Sequence, residues 1–168
     1  GHTFVSAQNG SGEIIGAAAR TYISFTKVGG VLADKFLAVT GNSNNWTVSD
    51  CHAIACNGTG GIYFAPTNAA ANAVNTFTSN SAIQNGADGF NLTNVAAYSL
   101  AANVAHTNLA SGVYLLSTKL AVLTSNVCNN NTLYGLELES ASHTEDTSGI
   151  YNSNAAGGIL LTNTNDSR

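Results

Sequence analysis

A short motif returns along this chain at a nearly constant spacing: an asparagine, three variable residues and a glycine. The asparagines stand at 57, 85, 108, 131 and 154, and the glycines at 61, 89, 112, 135 and 158. Successive glycines are 28, 23, 23 and 23 residues apart. A fixed period in this range indicates stacked repeats, each of which buries its apolar face against its neighbours. The repeat constrains the fold more than any other feature of the sequence.

The segment after each glycine alternates, and its first and third residues are apolar in all five copies. Such alternation predicts a strand with one buried face. The first apolar residues are Ile62, Phe90, Val113, Leu136 and Ile159. A second strand is predicted in the same phase, with Phe77, Leu100 and Leu123 inward. A third follows the asparagines at 80, 103 and 126, with Val104, Val127 and Ile150 predicted to point inward.

Three short strands and three turns in 23 residues describe one coil of a three-sided solenoid. No segment has the apolar spacing of three and four that an amphipathic helix needs. We therefore predict an all-β parallel β-helix of about seven coils, each of roughly 23 residues with three short strands. Residues 1–35 are predicted to form irregular N-terminal coils or a cap, and residues 36–168 the regular β-helix. The five extra residues between Gly61 and Gly89 predict a loop at 66–72.

Stacked coils place equivalent residues about 4.8 Å apart, so the motif asparagines are predicted to form a ladder of side-chain amides. The glycine four positions later is predicted to adopt a left-handed or tight conformation. The last apolar strand ends close to Arg168 with no amphipathic cap after it. We expect further protein, or partner chains, to cover that end.

Composition excludes several classes of function. Charged residues make up 8% of the chain, against an ordinary level of about 25%. The net charge of −4 disfavours nucleic acid and anionic membranes as partners, and no apolar run suits membrane insertion. Cys51, Cys56 and Cys128 are too few for a disulfide framework or a zinc site and are expected to be buried. No cofactor and no metal are predicted. Glu145 and Asp146 are predicted to lie in a turn. A calcium site formed by them with Asp88 is not supported, because the three residues lack the sequence spacing of a calcium-binding loop.

The repeated unit resembles the right-handed parallel β-helix repeats of the pectate-lyase-like superfamily, over roughly residues 36–163. Within that group, the low charge and the richness in Asn, Ser, Thr, Gly and Ala are most similar to bacteriophage tailspikes and appendages. The resemblance implies a homotrimer on the virion tail that binds, and in many members cleaves, bacterial surface polysaccharide. It carries information mainly about fold, because one fold hosts many functions.

The outward positions of the best-defined strand supply the candidate binding residues. Tyr63, Asn91, Tyr114 and Glu137 are predicted to form one outward column, and Glu139 belongs to the next. Aromatic rings pack on the apolar face of a sugar while amides and carboxylates bind its hydroxyls. Glu137 and Glu139 lie about 6.6 Å apart along their strand, near the separation of the acid and base in inverting glycosidases. The alternative is a solvated pair on an outer face.

Lys119 and His143 follow this strand in adjacent coils and are predicted to flank the same groove, as sugar contacts or as a base in a lyase. The alternative is that both are ordinary turn residues. His52 and His106 are expected to be hydrogen-bonded structural residues. The family's cluster of catalytic aspartates is absent, and the two arginines, Arg20 and Arg168, lie outside the repeats, which disfavours a lyase mechanism.

Three functions remain open from the sequence. The first is a tailspike-type fragment that binds surface polysaccharide, with or without depolymerising it. The second is a non-catalytic structural or adhesive β-solenoid, secreted or on a cell surface. The third is a polysaccharide lyase or hydrolase domain unrelated to phage. Trimerisation separates the first from the other two.

Overall fold

Every paired strand in the described chain runs parallel to its neighbours. The computed structural model describes residues 22–24, 37–39, 47–54, 60–65, 74–94 and 97–168. The strands, in chain order, are β1 (Tyr22–Ser24), β2 (Leu37–Val39), β3 (Thr47–Ser49), β4 (His52–Ile54), β5 (Gly60–Phe64), β6 (Val74–Thr78), β7 (Ser81–Ile83), β8 (Asp88–Thr93), β9 (Ala97–Ala101), β10 (Val104–His106), β11 (Val113–Leu116), β12 (Leu120–Thr124), β13 (Val127–Asn129), β14 (Tyr134–Glu139), β15 (Thr144–Thr147) and β16 (Gly157–Thr162).

These strands form the three sides of a solenoid. Sheet A has the order β1-β3-β6-β9-β12-β15, sheet B the order β2-β5-β8-β11-β14-β16, and sheet C the order β4-β7-β10-β13. The all-β parallel β-helix is therefore confirmed. The described residues contain four coils with a strand on every side. In the next coil, sheet C is reduced to a bridge between Val127 and Ile150. The described chain thus contains fewer coils than the seven predicted.

The predicted register is confirmed in sheets A and B. Val113 pairs with Phe90 on one side and with Leu136 on the other, and Leu123 pairs with Leu100. The inward side chains stack in columns from coil to coil, and these columns form the core. A single coil cannot bury its apolar side chains alone and therefore depends on its neighbours. The fully buried large side chains of these columns are Ile62, Phe64, Phe77, Phe90, Leu92, Tyr98, Leu100, Leu115, Leu123 and Leu136.

The inward register predicted for sheet C was wrong. Val104 and Val127 are half-buried and Ile150 is 45% exposed, whereas the next residues along the strands, Ala105 and Cys128, are buried. The physical reason is the preceding asparagine. Asn103 and Asn126 turn inward at the corner, so alternation places the valine outside and the following small residue inside.

The motif asparagines form the predicted ladder at 85, 108, 131 and 154, which we call the long ladder; Asn57 lies outside the described residues. In each step the Nδ2 group donates to the Oδ1 atom of the next asparagine at 2.9 Å. The backbone N–H of the same residue donates to that oxygen as well. The other Nδ2 hydrogen reaches a sheet C carbonyl, such as that of Ala82 from Asn108.

A second ladder, which the motif did not predict, runs through Asn80, Asn103 and Asn126, and we call it the short ladder. Its Nδ2 groups donate to the next Oδ1 atom at 3.0 Å, and its backbone N–H groups donate to the same atoms. Each Nδ2 also donates to a sheet A carbonyl, such as that of Phe77 from Asn103. Apart from the half-buried Asn154, the asparagines of both ladders are buried, so they satisfy corner backbone groups that water cannot reach.

The motif glycines are tight rather than left-handed. A Cβ on Gly112 would lie 2.8 Å from the Gly135 carbonyl oxygen and 2.9 Å from the Asn131 Nδ2 atom. Left-handed backbone occurs instead at non-glycine corner residues. Among the described residues, it occurs just before each ladder asparagine, for example at Thr107 with φ 58° and at Ala102 with φ 54°.

The last coil changes the interior of the solenoid. Asp146 pairs with Leu123, so a carboxylate takes a position that is apolar in the coil above. Glu145 and Asp146 therefore lie in strand β15, and their predicted place in a turn was wrong. Gly149 stands at the position where an asparagine would continue the short ladder. A Cβ atom on Gly149 would lie 2.5 Å from the Cε2 atom of the Tyr151 ring. Tyr151 packs against the core.

The described cysteines, Cys51 and Cys128, are buried, as expected. Burial raises the pKa of the Cys128 thiol to about 12, and the charge of Asp146 adds to this shift. Cys56 and the loop predicted at 66–72 lie outside the described residues. The structure likewise does not describe residues 1–21, so the division at residue 35 stays a prediction.

Candidate functional site

The outward face of sheet B brings the predicted site residues together. Tyr63 pairs with Asn91, Asn91 with Tyr114, and Tyr114 with Glu137. Glu139 lies beside Leu116 in the neighbouring outward column. Adjacent members of a column belong to hydrogen-bonded strands and are therefore about 4.8 Å apart. The strand pairing thus places these residues in register on one sheet, and their roles as site residues stay predictions.

A hydrogen-bonded chain of side chains crosses three coils of this face. The Asn91 Nδ2 group donates to the Asp88 Oδ2 atom at 2.8 Å. The Ser111 backbone N–H donates to the Asp88 Oδ1 atom at 2.9 Å, and the Ser111 hydroxyl donates to the Glu137 Oε2 atom at 2.6 Å. Ser111 thus fixes the carboxylates of two strands that are not themselves neighbours.

Glu139 is held by a different partner. The Tyr114 hydroxyl donates to the Glu139 Oε2 atom at 2.7 Å. Burial, followed by the hydrogen bond to Glu139 and the charges of Glu139, Glu137 and Asp88, holds the pKa of Tyr114 well above its usual value. The ring therefore stays a neutral phenol amid three carboxylates. Glu137 and Glu139 share one side of strand β14, but each has its own hydrogen-bond donor.

Asp88 carries the clearest electrostatic perturbation on this face. Burial raises its pKa from 3.8 to about 6, and the charge of Glu137 acts in the same direction. The hydrogen bonds from Asn91 and Ser111 oppose the shift but do not cancel it. A carboxyl with a pKa near 6 is partly protonated close to neutral pH, as a general acid requires.

Sequence reasoning missed Asp88 and Ser111 as members of this face. They lie one residue before the motif glycines Gly89 and Gly112, whereas the predicted columns began after the glycine. The backbone bonds Gly89 N to Ser111 O, at 3.0 Å, and Gly112 N to Tyr134 O, at 2.8 Å, show that these preceding positions are in register too. Positions 88 and 111 are themselves 23 residues apart, so following the repeat at the position before each motif glycine could have revealed them.

Lys119 and His143 lie at the corner that follows sheet B and are exposed. Their coils are adjacent, but the residue level with Lys119 is Ser142, whose hydroxyl donates to the Lys119 carbonyl at 3.1 Å. The His143 Nε2 atom lies 3.4 Å from the Asp166 Oδ2 atom of the next coil. The structure shows no contact between either side chain and the Glu139 column.

The two other described histidines make the local bonds expected of structural residues. His52 Nδ1 lies 2.6 Å from the Ser81 hydroxyl, and His106 Nδ1 lies 3.0 Å from the Thr107 hydroxyl. Within the described ranges, no group of three or more His, Cys, Asp or Glu side chains could hold a metal ion. The chemistry that remains for the sheet B face is that of rings, amides, hydroxyls and carboxylates.

That set of groups suits a carbohydrate better than a charged polymer. A tyrosine ring packs on the apolar face of a sugar ring, and flanking amides and carboxylates bind sugar hydroxyls. A column of such groups on successive strands also matches an extended chain of repeating units.

The part of the chain that the structure describes contains no helix long and apolar enough to span a bilayer.

Comparison with known proteins identifies the class of this chain. The family model described as a right handed beta helix region matches residues 8–168. Searches of curated proteins and of solved structures found no match. The matched range covers nearly the whole chain, and it agrees with the parallel three-sheet solenoid. The chain belongs to the right-handed β-helix family.

Proposed function

We propose that this chain is a tailspike-type β-helix that binds bacterial surface polysaccharide along the outward face of sheet B. The observation that carries the proposal is the column Tyr63, Asn91, Tyr114 and Glu137, which lies in register on consecutive strands. The pairing of aromatic and polar groups supports a sugar ligand. Lys119 and His143, exposed at the corner that follows this sheet, are assigned as peripheral sugar contacts.

Binding tests the proposal directly. Immobilised capsular and O-antigen polysaccharides are screened for the chain, and the best ligand is measured against variants. Tyr114→Ala removes a ring and the donor to Glu139, so we expect affinity to fall at least about tenfold. Leu109→Ala, an exposed change at the corner between strands β10 and β11, is the matched control and should leave affinity unchanged. Equal binding by Tyr114→Ala, or an equal loss with Leu109→Ala, contradicts the proposal.

Depolymerisation by Glu137 and Glu139 is the catalytic form of the same proposal. It is supported by their common side of strand β14 and by the donors that fix each carboxylate, Ser111 and Tyr114. Glu137→Gln and Glu139→Gln keep the side-chain shape and remove the acid and base functions. A drop in polysaccharide viscosity that either change abolishes supports hydrolysis. Unchanged depolymerisation by either variant contradicts it.

A homotrimer at the virion tail completes the tailspike proposal, and a surface feature supports side-by-side packing. On the outward face of sheet A, Val74 and Leu120 lie in one column with Ala97 between them. Val74, Leu120 and Val122 are 46%, 45% and 39% exposed. Such an apolar stripe suits an interface between copies. Light scattering should give the mass of three chains, and Val122→Glu should reduce it.

The competing functions make different predictions for the same samples. A non-catalytic adhesive solenoid, secreted or on a cell surface, would bind a glycan or protein without lowering viscosity. A lyase or hydrolase unrelated to phage would depolymerise as a monomer. The solution mass and the viscosity, measured together, therefore separate the three functions.

A further inference from the structure

Two hydroxyl groups of the sheet B face are each engaged by a carboxylate of the neighbouring coil. The Ser111 hydroxyl donates to the Glu137 Oε2 atom at 2.6 Å, and the Tyr114 hydroxyl donates to the Glu139 Oε2 atom at 2.7 Å. A hydroxyl carries a single hydrogen, so neither group has a second one to donate to a ligand. The Oε1 atoms of Glu137 and Glu139, by contrast, accept no hydrogen bond from the described residues.

Asp88 orients the Asn91 amide in the same sense. The Asn91 Nδ2 group donates to the Asp88 Oδ2 atom at 2.8 Å, because a carboxylate accepts hydrogen bonds and cannot donate them. The carbonyl oxygen, Oδ1, is therefore the Asn91 atom turned away from Asp88. The polar atoms that this face offers to a ligand are thus mainly acceptors: Oδ1 of Asn91 and Oε1 of Glu137 and Glu139.

The same face carries negative charge. Asp88 lies on strand β8, and Glu137 and Glu139 lie on strand β14, and these two strands flank β11. Burial, and after it the charge of Glu137, raises the pKa of Asp88. Burial, the hydrogen bond to Glu139 and the charges of all three carboxylates raise the pKa of Tyr114. The three carboxylates therefore act on the ring that lies between them.

No lysine or arginine among the described residues forms an ion pair with these carboxylates. Lys119 is exposed at the corner that follows the sheet. The Arg168 Nη2 atom lies 3.4 Å from the Glu145 Oε2 atom, on sheet A. A ligand on the sheet B face therefore meets acceptor oxygens and a negative charge that no neighbouring side chain of the described chain balances.

We propose that the outward face of sheet B selects neutral, hydroxyl-rich polysaccharides and excludes acidic ones. The selection rests on the proposed function and names the class of sugar that the same face binds. Hydroxyls of a neutral sugar donate to the Asn91, Glu137 and Glu139 oxygens, while the tyrosine rings pack on its apolar faces. A uronic acid brings a further carboxylate, which finds no free hydroxyl donor on Ser111 or Tyr114 and is repelled by the charges already present.

A matched pair of ligands tests the selection. Each uronate-containing capsular polysaccharide of the binding screen is used in its native form and after carbodiimide and borohydride reduction, which converts every carboxyl to a primary alcohol. The chain should bind the reduced polymer at least about tenfold more tightly than the native one. This preference should shrink in about 1 M salt, because salt screens exposed charges. The tightest ligand of the whole screen should be neutral.

Variants of the face locate the selection. Glu137→Gln combined with Glu139→Gln removes two carboxylates and supplies amide donors, so the preference for the reduced polymer should fall at least about fivefold. The matched control is Asp50→Asn combined with Glu145→Gln, which removes the same net charge at exposed positions outside sheet B. The control should keep the preference of the parent chain, and circular dichroism of both double variants should match that of the parent.

Equal binding of the two polymer forms, or tighter binding of the acidic form, overturns the ligand class and leaves the binding face in place. An unchanged preference in the double variant of Glu137 and Glu139 also overturns it. An equal fall in both double variants does the same, because it assigns the preference to net charge rather than to this face. A screen in which no polysaccharide binds contradicts the proposed function itself, and the selection falls with it.

Discussion

The two asparagine ladders perform the same task at two corners of the solenoid, but they end differently. The long ladder continues to the last coil at Asn154, whereas the short ladder stops at Asn126 because position 149 is glycine. At Gly149 the Asp146 Oδ2 atom and the Tyr151 ring occupy the space that a side chain would enter. The difference shows that a ladder step depends on the inward residue beside it.

That dependence follows from the volume of the corner. Beside the short ladder, the inward residue two positions after each asparagine is small: Ala82, Ala105 and Cys128. In the last coil it is Tyr151, a much larger residue. Burial and the Asp146 carboxylate hold the pKa of Tyr151 well above its usual value, and burial raises the pKa of Asp146. In the last coil, the Tyr151 phenol and the Asp146 carboxylate thus occupy the space that the side chain of a ladder asparagine would take.

The largest expected effect comes from filling the tight turn of the long ladder. Gly112→Ala places a Cβ 2.7 Å from the Cys128 Cβ and 2.8 Å from the Gly135 carbonyl oxygen, and neither atom can move freely. We expect the free energy of unfolding to fall by about 3–4 kcal/mol in urea denaturation. Gly158→Ala is the matched control, because its nearest contact is 3.2 Å, and should cost about 1 kcal/mol or less. Equal losses would contradict the proposed packing.

The next effect compares single steps of the two ladders. Asn108→Ala removes four side-chain hydrogen bonds, to Asn85 N–H, Asn85 Nδ2, the Ala82 carbonyl and Asn131. Asn126→Ala removes three, because Gly149 offers no acceptor below it. We expect losses of about 3 and about 2 kcal/mol in the free energy of unfolding. A larger loss for Asn126→Ala would reverse the proposed ranking of the ladders.

The long-ladder corner also carries a titratable group, which makes its stability depend on pH. Because the pKa of Asp88 is raised from 3.8 to about 6 on folding, the folded chain binds its proton more tightly. The stability that this group contributes should therefore be fully present below about pH 4 and be lost, by about 2–3 kcal/mol, as the pH rises through 6. Asp88→Asn removes this part of the pH dependence. Parallel pH profiles for both chains would contradict the shift.

The smallest expected effect is the coupling between Gly149 and Tyr151. Gly149→Asn alone should destabilise the chain, because the new side chain meets the tyrosine ring. Together with Tyr151→Cys, which copies the coil above, the asparagine can extend the short ladder. A double-mutant cycle should give a favourable coupling of about 1 kcal/mol or more. Additive losses would show that the ladder ends for a reason other than the tyrosine.

The strand pattern of sheets A and B could be predicted from the sequence because each follows a repeated apolar alternation. The strands of sheet C were predicted too, but their register was not, because the inward residues are alanine and cysteine, which carry little hydrophobic signal, and the asparagines were not expected to point inward. In the last coil the 23-residue period leads from Leu123 to Asp146, and a carboxylate in an apolar column carries no hydrophobic signal that the strand continues there.

The candidate site, too, could be predicted only in part. Tyr63, Asn91, Tyr114, Glu137 and Glu139 share the predicted face because strand alternation fixes the side to which each points. The positions of Ser111 and Asp88 repeat at the 23-residue period, but their hydrogen bonds could not be predicted. A bond between residues 26 positions apart, such as that from Ser111 to Glu137, depends on the side-chain conformations of neighbouring coils.

The register of the coils decides which residues share the outward face, and the long ladder fixes that register. Hydrogen exchange of the asparagine side-chain amides, followed by NMR, tests this most directly. The Nδ2 hydrogens of Asn108 and Asn131 should exchange at least about a hundredfold more slowly than those of the exposed Asn130, as buried, bonded groups do. Exchange of the ladder amides as fast as that of Asn130 would contradict the stacked register and the binding face derived from it.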